Sequence, residues 1–473
     1  MKNKLLLITL FCILQIRINA QIWQKVVCGG EFTVALRSDS TLWAWGFNGN
    51  GQLGIGNLST QQLPVQIGNN HNWKDIVAGG LHCLAIKTDG TLWAWGLNGN
   101  GQLGNATNAN NSSPIQIGSA DNWGKISAGQ VYSASIKNNG TLWCWGQNYY
   151  GQLGNGSTAD KNIPTQVGTD TNWKEVSCGG LHTLAIKLNG TLWAWGFNGD
   201  GQMGDSSLIN TSIPKQIGTD SNWVKVSGGF EYSLGLKSDG SIWAWGFNGV
   251  GQLGIGANNK LSNPTTVIIP VQIGSEYDWK TISAGSSFAF AIKNDSSLWA
   301  WGLNMYGQLG NGNTIQQNFP VKIGSENNWK DIAAASGFLY SSGVYGLHSM
   351  GIKYQNDAIC AAGANYIGQL GNGTTIDQNQ FDCSIGTTSI SENSNNNSPM
   401  VYPNPASEII NFDIGMFKDF QLLVYNQLGQ IVLEDKLTQS NNTINISSLK
   451  TGIYFYKLQN KNGKAISGKF VKE

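Results

Sequence analysis

A unit of about 50 residues recurs seven times along most of the chain, and it limits the fold more than any other feature. Each unit opens on an anchor tryptophan and later carries G-Q-L-G or G-Q-M-G, and six of the seven units have a W-x-W-G segment in between. The anchors are Trp23, Trp73, Trp123, Trp173, Trp223, Trp279 and Trp329, and the W-x-W-G segments end at Gly46, Gly96, Gly146, Gly196, Gly246 and Gly302. Together they account for all 19 tryptophans of the 473 residues. A period held over seven copies indicates a repeat architecture.

The second unit predicts four short strands. They are expected at Trp73–Ala78, His82–Lys87, 91–95 and 114–118, with Gly79-Gly80 and Asp89-Gly90 as turns. Both indoles of Trp93-Ala94-Trp95 should point to one face, because side chains alternate along a strand. The proline that opens the fourth strand fits an outer, edge-like position.

Four strands in each of seven units predict an all-β chain with a seven-bladed β-propeller over residues 21–386. A linear solenoid is the alternative, but neither end of the array has a polar capping unit. The repeated pattern AGxxHxxAIKxDGxLWAWGxNxxGQLGxG resembles the regulator of chromosome condensation repeat family over residues 21–386. The resemblance implies a seven-bladed propeller. It leaves the function open, because the repeated residues build blades.

The first 20 residues have the pattern of a signal peptide. Lys2 and Lys4 precede the apolar run 5–14, and Ala20 provides a small residue for cleavage before Gln21. Such a run is too short to span a bilayer, and no later segment is long and apolar enough. We therefore expect an exported chain without a transmembrane segment.

The C-terminal part is predicted to be a separate module. A polar linker covers 387–398, and residues 399–473 contain no tryptophan. Apolar alternation predicts strands near 410–414, 420–425, 430–433, 443–446, 452–458 and 469–472, which suit a small β-sandwich. The segments YPNPAS, VYNQLGQIV, LKTGIYFYKL and KFVK resemble the type A sorting domain of the type IX secretion system. This resemblance implies a Bacteroidota-type bacterium, contact with the secretion machinery, and removal of the tail or attachment to the cell surface. A carbohydrate-binding sandwich is the alternative, but we identify no aromatic platform.

Composition argues against nucleic-acid and lipid partners. Charged residues make up 12% of the chain, and 29 basic against 28 acidic residues give a net charge of +1. Such a balance provides no excess charge to attract nucleic acid or an anionic membrane.

No catalytic, cofactor or metal site is predicted. The G-x-G-x-x-G spelling at Gly49 recurs at Gly99, Gly199 and Gly249, but no helix follows it to hold a pyrophosphate. The positions of His82, His182 and His348 are held by Phe or Tyr in the other units, which favours packing over metal binding. Asparagines such as Asn98 are expected to satisfy loop backbone groups, with a sugar site as the alternative reading. We therefore expect a protein that is not an enzyme.

The seventh unit departs from the pattern. Cys360 and Ala362 stand where the other units have their tryptophan pair, which leaves space to be filled. We expect Phe338, Tyr340 or Tyr345 from the long first loop to fold back into it. Cys360 and Cys383 are the only two cysteines within one unit, and both a disulfide and two separate buried thiols remain open.

Length variation predicts where a ligand binds. The loops after strands one and three of each blade lie on one side of the propeller, which we call the first rim, and the turns after strands two and four form the second rim. Extra residues occur within 255–269 and 335–345, both on the first rim. Irregular loops on a rigid scaffold often carry binding, although drift without a ligand is the alternative. The candidate rim residues are Lys260, Leu261, Phe338, Leu339, Tyr340, Val344 and Tyr345.

These patterns favour a monomeric, secreted or surface-displayed scaffold that binds a protein or a glycan. Two alternatives are guanine-nucleotide exchange on a small GTPase, the founding activity of the resembled family, and a glycan-active enzyme. Export argues against the first, because an exported chain does not meet a cytosolic GTPase. The second would need paired carboxylates in a pocket.

Overall fold

The computed structural model describes residues 22–256, 266–339, 344–354, 357–385, 400–402, 405–414, 420–426, 430–439, 441–460 and 465–473. The predicted signal peptide with Ala20 and Gln21 lies outside these residues, as do the linker, Lys260, Leu261 and Tyr340. Contacts divide the chain into two compact units, Met1–Gly386 and Thr387–Glu473. No helix of the described part is long and apolar enough to cross a bilayer.

The first unit consists of seven antiparallel four-stranded sheets, each built from four strands that follow one another in its repeat. The all-β prediction is confirmed, and blades one and seven exchange no strand among the described elements. The strands are, by blade, β1 (Trp23–Cys28), β2 (Phe32–Arg37), β3 (Leu42–Gly46), β4 (Gln61–Gln66); β5 (Trp73–Ala78), β6 (His82–Lys87), β7 (Leu92–Gly96), β8 (Asn111–Gln116); β9 (Trp123–Ala128), β10 (Tyr132–Lys137), β11 (Leu142–Gly146), β12 (Lys161–Gln166); β13 (Trp173–Cys178), β14 (His182–Lys187), β15 (Leu192–Gly196), β16 (Thr211–Ile217); β17 (Trp223–Gly228), β18 (Tyr232–Lys237), β19 (Ile242–Phe247), β20 (Thr266–Gln272); β21 (Trp279–Ala284), β22 (Phe288–Lys293), β23 (Leu298–Gly302), β24 (Gln317–Lys322); and β25 (Trp329–Ala334), β28 (His348–Lys353), β29 (Ile359–Gly363), β30 (Gln378–Ile385), with the two-stranded hairpin β26 (Phe338–Leu339) and β27 (Val344–Tyr345) inserted in blade seven.

The fourth strands begin earlier than the sequence predicted. Strand β8 covers Asn111–Gln116 instead of 114–118, because Asn111 already pairs with Gly96. Pro114 therefore lies inside the strand. It is tolerated there because an outer edge strand leaves one row of N–H groups outside the ladder. The third strand, β7, is displaced by one residue from the predicted 91–95.

In blades one to six, tryptophans hold the blade together and pack it against the preceding one. In blade two the Trp73 ring packs against Trp93 and Trp95 at centroid distances of 5.8 and 6.1 Å. Trp95 also donates its indole N–H to the carbonyl oxygen of Gln52 in blade one, at 3.0 Å. It lies so close to Gly54 that a Cβ there would be 2.7 Å from Nε1. The repeated G-Q-L-G segment thus forms the packing site for the second tryptophan of the next blade's W-x-W-G segment, which we call the inner tryptophan.

The first strands of neighbouring blades contact one another around the propeller axis. Their third residues alternate in charge, and adjacent members pair: Lys25 Nζ lies 2.6 Å from Asp75 Oδ1, and Lys125 Nζ lies 2.9 Å from Glu175 Oε2. Lys225 donates to Thr281 Oγ1 at 2.5 Å. We call these seven positions the charge ring; its members are Lys25, Asp75, Lys125, Glu175, Lys225, Thr281 and Asp331. Because the ring holds three lysines and three carboxylates, its side chains largely neutralise one another.

Blade seven fills the vacancy left by its missing tryptophans from its own outer strand. The Phe381 ring packs at 4.8 Å from Trp329, and a Cβ on Gly310 would lie 2.4 Å from Phe381 Cδ2. Phe381 thus occupies the packing site that the inner tryptophan occupies in the other blades. Cys360, at the outer tryptophan position, forms a disulfide with Cys383. The side chains of Phe338, Tyr340 and Tyr345, predicted to fill this space, lie outside the described part.

The seam between blades seven and one repeats most contacts of the other seams, but the Trp45 indole N–H has no hydrogen-bond partner among the described residues. Thr33 of blade one donates to the carbonyl oxygen of Gln369 at 2.9 Å, and Trp45 lies against Gly371. One buried cluster contains Trp23 and Trp45 together with Met350 and Ile359. The seven blades therefore form a closed ring, as the propeller prediction requires.

The second unit contains two antiparallel sheets that enclose one core. Their order is β31-β32-β35 in one sheet and β34-β33-β36-β37 in the other. Phe412 of the first sheet packs edge-on against Tyr456 of the second at 5.0 Å. Most strands are longer than predicted from the apolar residues, because polar residues at their ends continue the ladder. The strands are β31 (Met400–Tyr402), β32 (Ile409–Asp413), β33 (Phe420–Tyr425), β34 (Ile431–Leu437), β35 (Asn441–Asn445), β36 (Gly452–Asn460) and β37 (Ala465–Lys472).

Candidate functional site

The repeated histidines are structural. His82, His182 and His348 are fully buried at blade seams, and the Nε2 of His82 lies 2.9 Å from Ser133 Oγ of the next blade. The Ser133 hydroxyl donates to the carbonyl oxygen of Gln102, so the histidine must donate through Nε2–H. Burial lowers the pKa of each of the three histidines to about 3, which keeps the imidazoles neutral.

The repeated asparagines organise the loops after the third strands. Asn98 is buried, and its amide group donates to the carbonyl oxygens of Thr107 and Ala109 at 2.9 and 3.0 Å. Its Oδ1 accepts from the Leu103 N–H at 2.9 Å. The prediction that these amides satisfy loop backbone groups is confirmed, and buried as they are, they do not present a sugar site.

Other polar groups in the propeller interior are also structural. Cys28, Cys83, Cys144 and Cys178 are buried thiols. No three His, Cys, Asp or Glu side chains gather as metal ligands would within the described ranges.

The predicted binding rim is described only in part. The backbone of Phe338–Leu339 pairs with that of Val344–Tyr345 as a short hairpin after strand β25, on the first rim. Its base is near the axis, because a Cβ on Gly337 would lie 2.7 Å from the Gly30 Cα of blade one. The side chains of these four residues are outside the described part, and Lys260 and Leu261 are outside it altogether. Their role in binding stays a prediction.

The first rim exposes aromatic residues that the sequence reasoning missed. Tyr149 and Tyr150, after the third strand of blade three, form a pair with ring centroids 4.8 Å apart, and Tyr149 is 71% exposed. The Tyr150 ring lies 4.8 Å from Phe197 of blade four. The available signal was the replacement of the Gly-Asn found in blades one and two by Tyr-Tyr.

Two carboxylates lie further along the same rim. Asp200 follows the third strand of blade four, and Glu231 precedes the second strand of blade five. Burial, with the Asp200 carboxylate as a second cause, raises the pKa of Glu231 to about 7. Burial also raises the pKa of Asp200. We call Tyr149, Tyr150, Phe197, Asp200 and Glu231 the aromatic–acidic strip.

In blade one, the carboxylate at the position of Glu231 has a hydrogen-bond partner. Glu31, the counterpart of Glu231 in blade one, accepts a hydrogen bond from the Tyr366 hydroxyl of blade seven. Burial and this carboxylate raise the pKa of Tyr366. The strip on blades three to five is thus a local departure from the repeat.

Comparison with known proteins agrees with this architecture. The RCC1-like domain profile matches residues 13–276, RCC1 repeat profiles match residues 279–308 and 295–340, and the secretion system C-terminal sorting domain profile matches residues 400–473. The first of these covers more than half of the chain.

Solved structures of similar fold include one human protein and two structures of the yeast protein Prp20. Human WBSCR16 is 20% identical with a TM-score of 0.63, covering 72% of this chain and 93% of its own. Prp20p from Saccharomyces cerevisiae is 19% identical with a TM-score of 0.63, covering 80% and 90%. Yeast RCC1 (Prp20) bound to Kap60 is 18% identical with a TM-score of 0.64, covering 89% and 91%.

At such identities the structural likeness establishes the fold, while the profiles establish the family. The sorting domain indicates type IX secretion, and hence a secreted or cell-surface protein of a Bacteroidota-type bacterium. The chain therefore belongs to the RCC1-like domain family and carries a C-terminal secretion sorting domain.

Proposed function

We propose that the protein is an extracellular binding scaffold whose propeller holds a ligand on its first rim, and that it acts by binding and not by catalysis. The observation that carries the proposal is the contrast between the rims. The hairpin of blade seven and the exposed side chains of Tyr149, Met305, Tyr306 and Tyr366 lie in loops after first or third strands. Among the described residues the second rim exposes fewer large hydrophobic side chains, those of Leu188, Tyr277 and Tyr354. Binding sites concentrate on such loops when a rigid scaffold holds them.

The way the scaffold holds its first-rim loops supports a role for these loops in binding. Asparagine-centred loops and inter-blade tryptophans fix the base of every first-rim loop, so the loops vary at their tips without cost to the blades. A pre-organised surface loses less conformational entropy on binding, which favours affinity.

Shortening the first-rim loops tests the proposal. The mature protein is immobilised, and polysaccharides and proteins retained from culture medium are quantified by sugar analysis and mass spectrometry. One variant shortens both 255–269 and 335–345 to the length of their counterparts, and a second replaces the exposed Tyr149, Met305 and Tyr306 by Ala. We expect each variant to lose specific retention at an unchanged melting temperature.

The matched control alters the second rim by replacing the exposed Tyr277 with Ala. Retention by this control should equal that of the wild type. Full retention by a variant combining the shortened loops with the three alanine replacements would refute the first-rim assignment.

We further propose that the two chain ends serve export. The predicted signal peptide would be cleaved between Ala20 and Gln21, and the tail would be removed near 387–400 or used for surface attachment. The intact mass of the surface form tests this. A full-length chain retained in the cytoplasm would contradict it.

A further inference from the structure

The aromatic end of the aromatic–acidic strip forms a corner and not a flat platform. The Tyr149 and Tyr150 rings are inclined at 86°, and the Tyr150 and Phe197 rings at 54°. Tyr149 is largely exposed, so its ring is available to a ligand. Of the seven seams, only that between blades three and four has aromatic residues at both of these loop positions.

The acidic end of the strip is continuous with this corner. Phe197 packs over Gly199, where a Cβ would lie 2.6 Å from the ring, and Asp200 is the next residue. The segments that carry Asp200 and Glu231 meet at the seam between blades four and five, where the Ser233 hydroxyl donates to the carbonyl oxygen of Gln202 at 2.7 Å. The Asp200 carboxylate disfavours ionisation of Glu231 across this seam. No lysine or arginine within the described residues forms an ion pair with Asp200 or Glu231. On the second rim, by contrast, carboxylates such as Asp170 and Asp220 pair with lysines.

We infer that the aromatic–acidic strip binds a basic polypeptide segment, whose lysine or arginine pairs with Asp200 and Glu231 while its apolar side chains pack on Tyr149 and Tyr150. This inference rests on the proposed function and names the ligand class of the first rim. The charge of the strip is complementary to a cation, and a charge-assisted pair to two half-buried carboxylates is stronger than a neutral hydrogen bond. Steeply inclined aromatic faces also suit a cation, which is attracted to ring faces.

The shape of the strip favours a polypeptide over a sugar or a small cation. It runs across two blade seams, from blade three to blade five, so one small cation cannot contact both ends. Inclined rings offer no coplanar faces on which successive sugar rings could stack. An extended peptide satisfies both ends because alternate side chains can reach different parts of the strip.

Defined peptides test the inference on the full mature chain. The probe is a fluorescent 12-residue Gly/Ser peptide with three arginines and one leucine, and its partner has citrulline in place of arginine. Fluorescence anisotropy should give at least tenfold tighter binding of the arginine peptide. Asp200→Asn with Glu231→Gln should abolish this preference, and Tyr149→Ala should weaken binding of the arginine peptide at least threefold.

Two control variants remove the same groups from the second rim. Asp170→Asn with Asp220→Asn deletes two exposed carboxylates, and Tyr277→Ala deletes an exposed ring. Both should bind the arginine peptide as the wild type does. Circular dichroism melting of every variant shows that the blades are intact.

Three results would overturn the inference: equal binding of the two peptides, a preference that survives Asp200→Asn with Glu231→Gln, or a preference lost equally in the carboxylate control. Tighter binding of a neutral glucose hexamer or of a glucosamine hexamer, removed by the strip variants, would also overturn it in favour of a sugar occupant. The proposed function would survive all of these if the first-rim variants still lose retention from culture medium.

Discussion

The Phe381 ring lies 4.8 Å from Trp329, centroid to centroid, in a blade whose inner tryptophan position is occupied by Ala362. It also lies 6.1 Å from Phe290 of blade six, so it joins two blades. Phe381→Ala is expected to lower the free energy of unfolding by about 2–3 kcal/mol, below the range for a fully buried phenylalanine because Phe381 is half-buried. Urea denaturation measures it.

The control for this substitution is Phe319→Ala on the outer strand of blade six. Phe319 is 62% exposed, so its loss should change stability by less than about 0.5 kcal/mol. A double substitution tests the geometry further. Ala362→Trp alone should destabilise the blade by overpacking. Phe381 stands where the outer strands of the other blades have a proline, such as Pro64. Ala362→Trp with Phe381→Pro therefore restores the residues of the repeat and should recover stability. If the single and double variants were equally destabilised, Phe381 would not occupy the packing position of the missing inner tryptophan.

The disulfide between Cys360 and Cys383 should stabilise the last blade. It closes a segment with a sequence separation of 23. Restricting the unfolded chain over such a loop contributes about 3 kcal/mol in the chain-entropy model. Cys360→Ser with Cys383→Ser should therefore lower stability by this order and make urea unfolding insensitive to dithiothreitol. If the reductant shifts the wild type and the double variant equally, the stabilisation has another source.

Acid should weaken the propeller through its seam histidines. The pKa of His82, His182 and His348 is about 3 in the folded chain, against about 6.5 in the unfolded chain. The unfolded chain therefore binds more protons below pH 6.5, and stability falls as the pH drops from 6.5 toward 3. We expect a loss of roughly 2 kcal/mol per histidine between pH 7 and 5 at 1.36 kcal/mol per pKa unit.

Replacing the three histidines by Phe, the residue at this position in blades one and six, should remove this loss. Glu231 acts in the opposite direction, because its raised pKa makes the folded chain bind a proton in the same window. The triple variant should therefore keep or slightly gain stability from pH 7 to 5, as measured by urea midpoints. Tyr132→Phe is the control and should retain the wild-type slope. An unchanged slope in the triple variant would contradict the assignment.

Charge alternation around the axis should contribute to stability. Lys125→Glu places three carboxylates in a row with Asp75 and Glu175 and removes the 2.9 Å pair. The Lys125 side chain is 57% exposed, so repulsion between the new carboxylate and its neighbours should lower the free energy of unfolding by only about 0.5–1 kcal/mol. Thermal melting at low salt and in 1 M NaCl should show a smaller loss in salt. Lys174→Glu, the same charge change at an exposed position outside the ring, should have little effect.

Much of the fold follows from sequence because the repeated residues are those that contact each other. The W-x-W-G and G-Q-L-G segments predict blades, since Trp95 is held by Gln52 and Gly54 of the preceding unit. Periodicity likewise predicts that the His82 position is a packing position. The register of the outer strands was less accessible, because polar residues such as Asn111 join the ladder through the backbone alone.

The candidate site could be predicted only in outline. Loop length points to the first rim, but it does not show which loop tips meet across a seam. Tyr150 and Phe197 are 47 positions apart, and their contact depends on the angle between two blades. The replacement of a tryptophan by Phe381 is similarly hidden, because the residue comes from a different strand of the blade. Departures from a repeat can be seen in sequence, whereas their partners require the assembled ring.

The charge ring has a consequence for the number of blades. Strict alternation of two signs around a closed ring is only compatible with an even number of members, so seven members leave one position where either sign would meet a like charge. Thr281 occupies that position, between Lys225 and Asp331. Loss of any single unit among the first four, as recombination between near-identical repeats could produce, would bring two like charges side by side at the axis. The pattern therefore disfavours the six-bladed rings that arise by loss of one of the first four units, whereas loss of the unit that carries Thr281 would leave strict alternation.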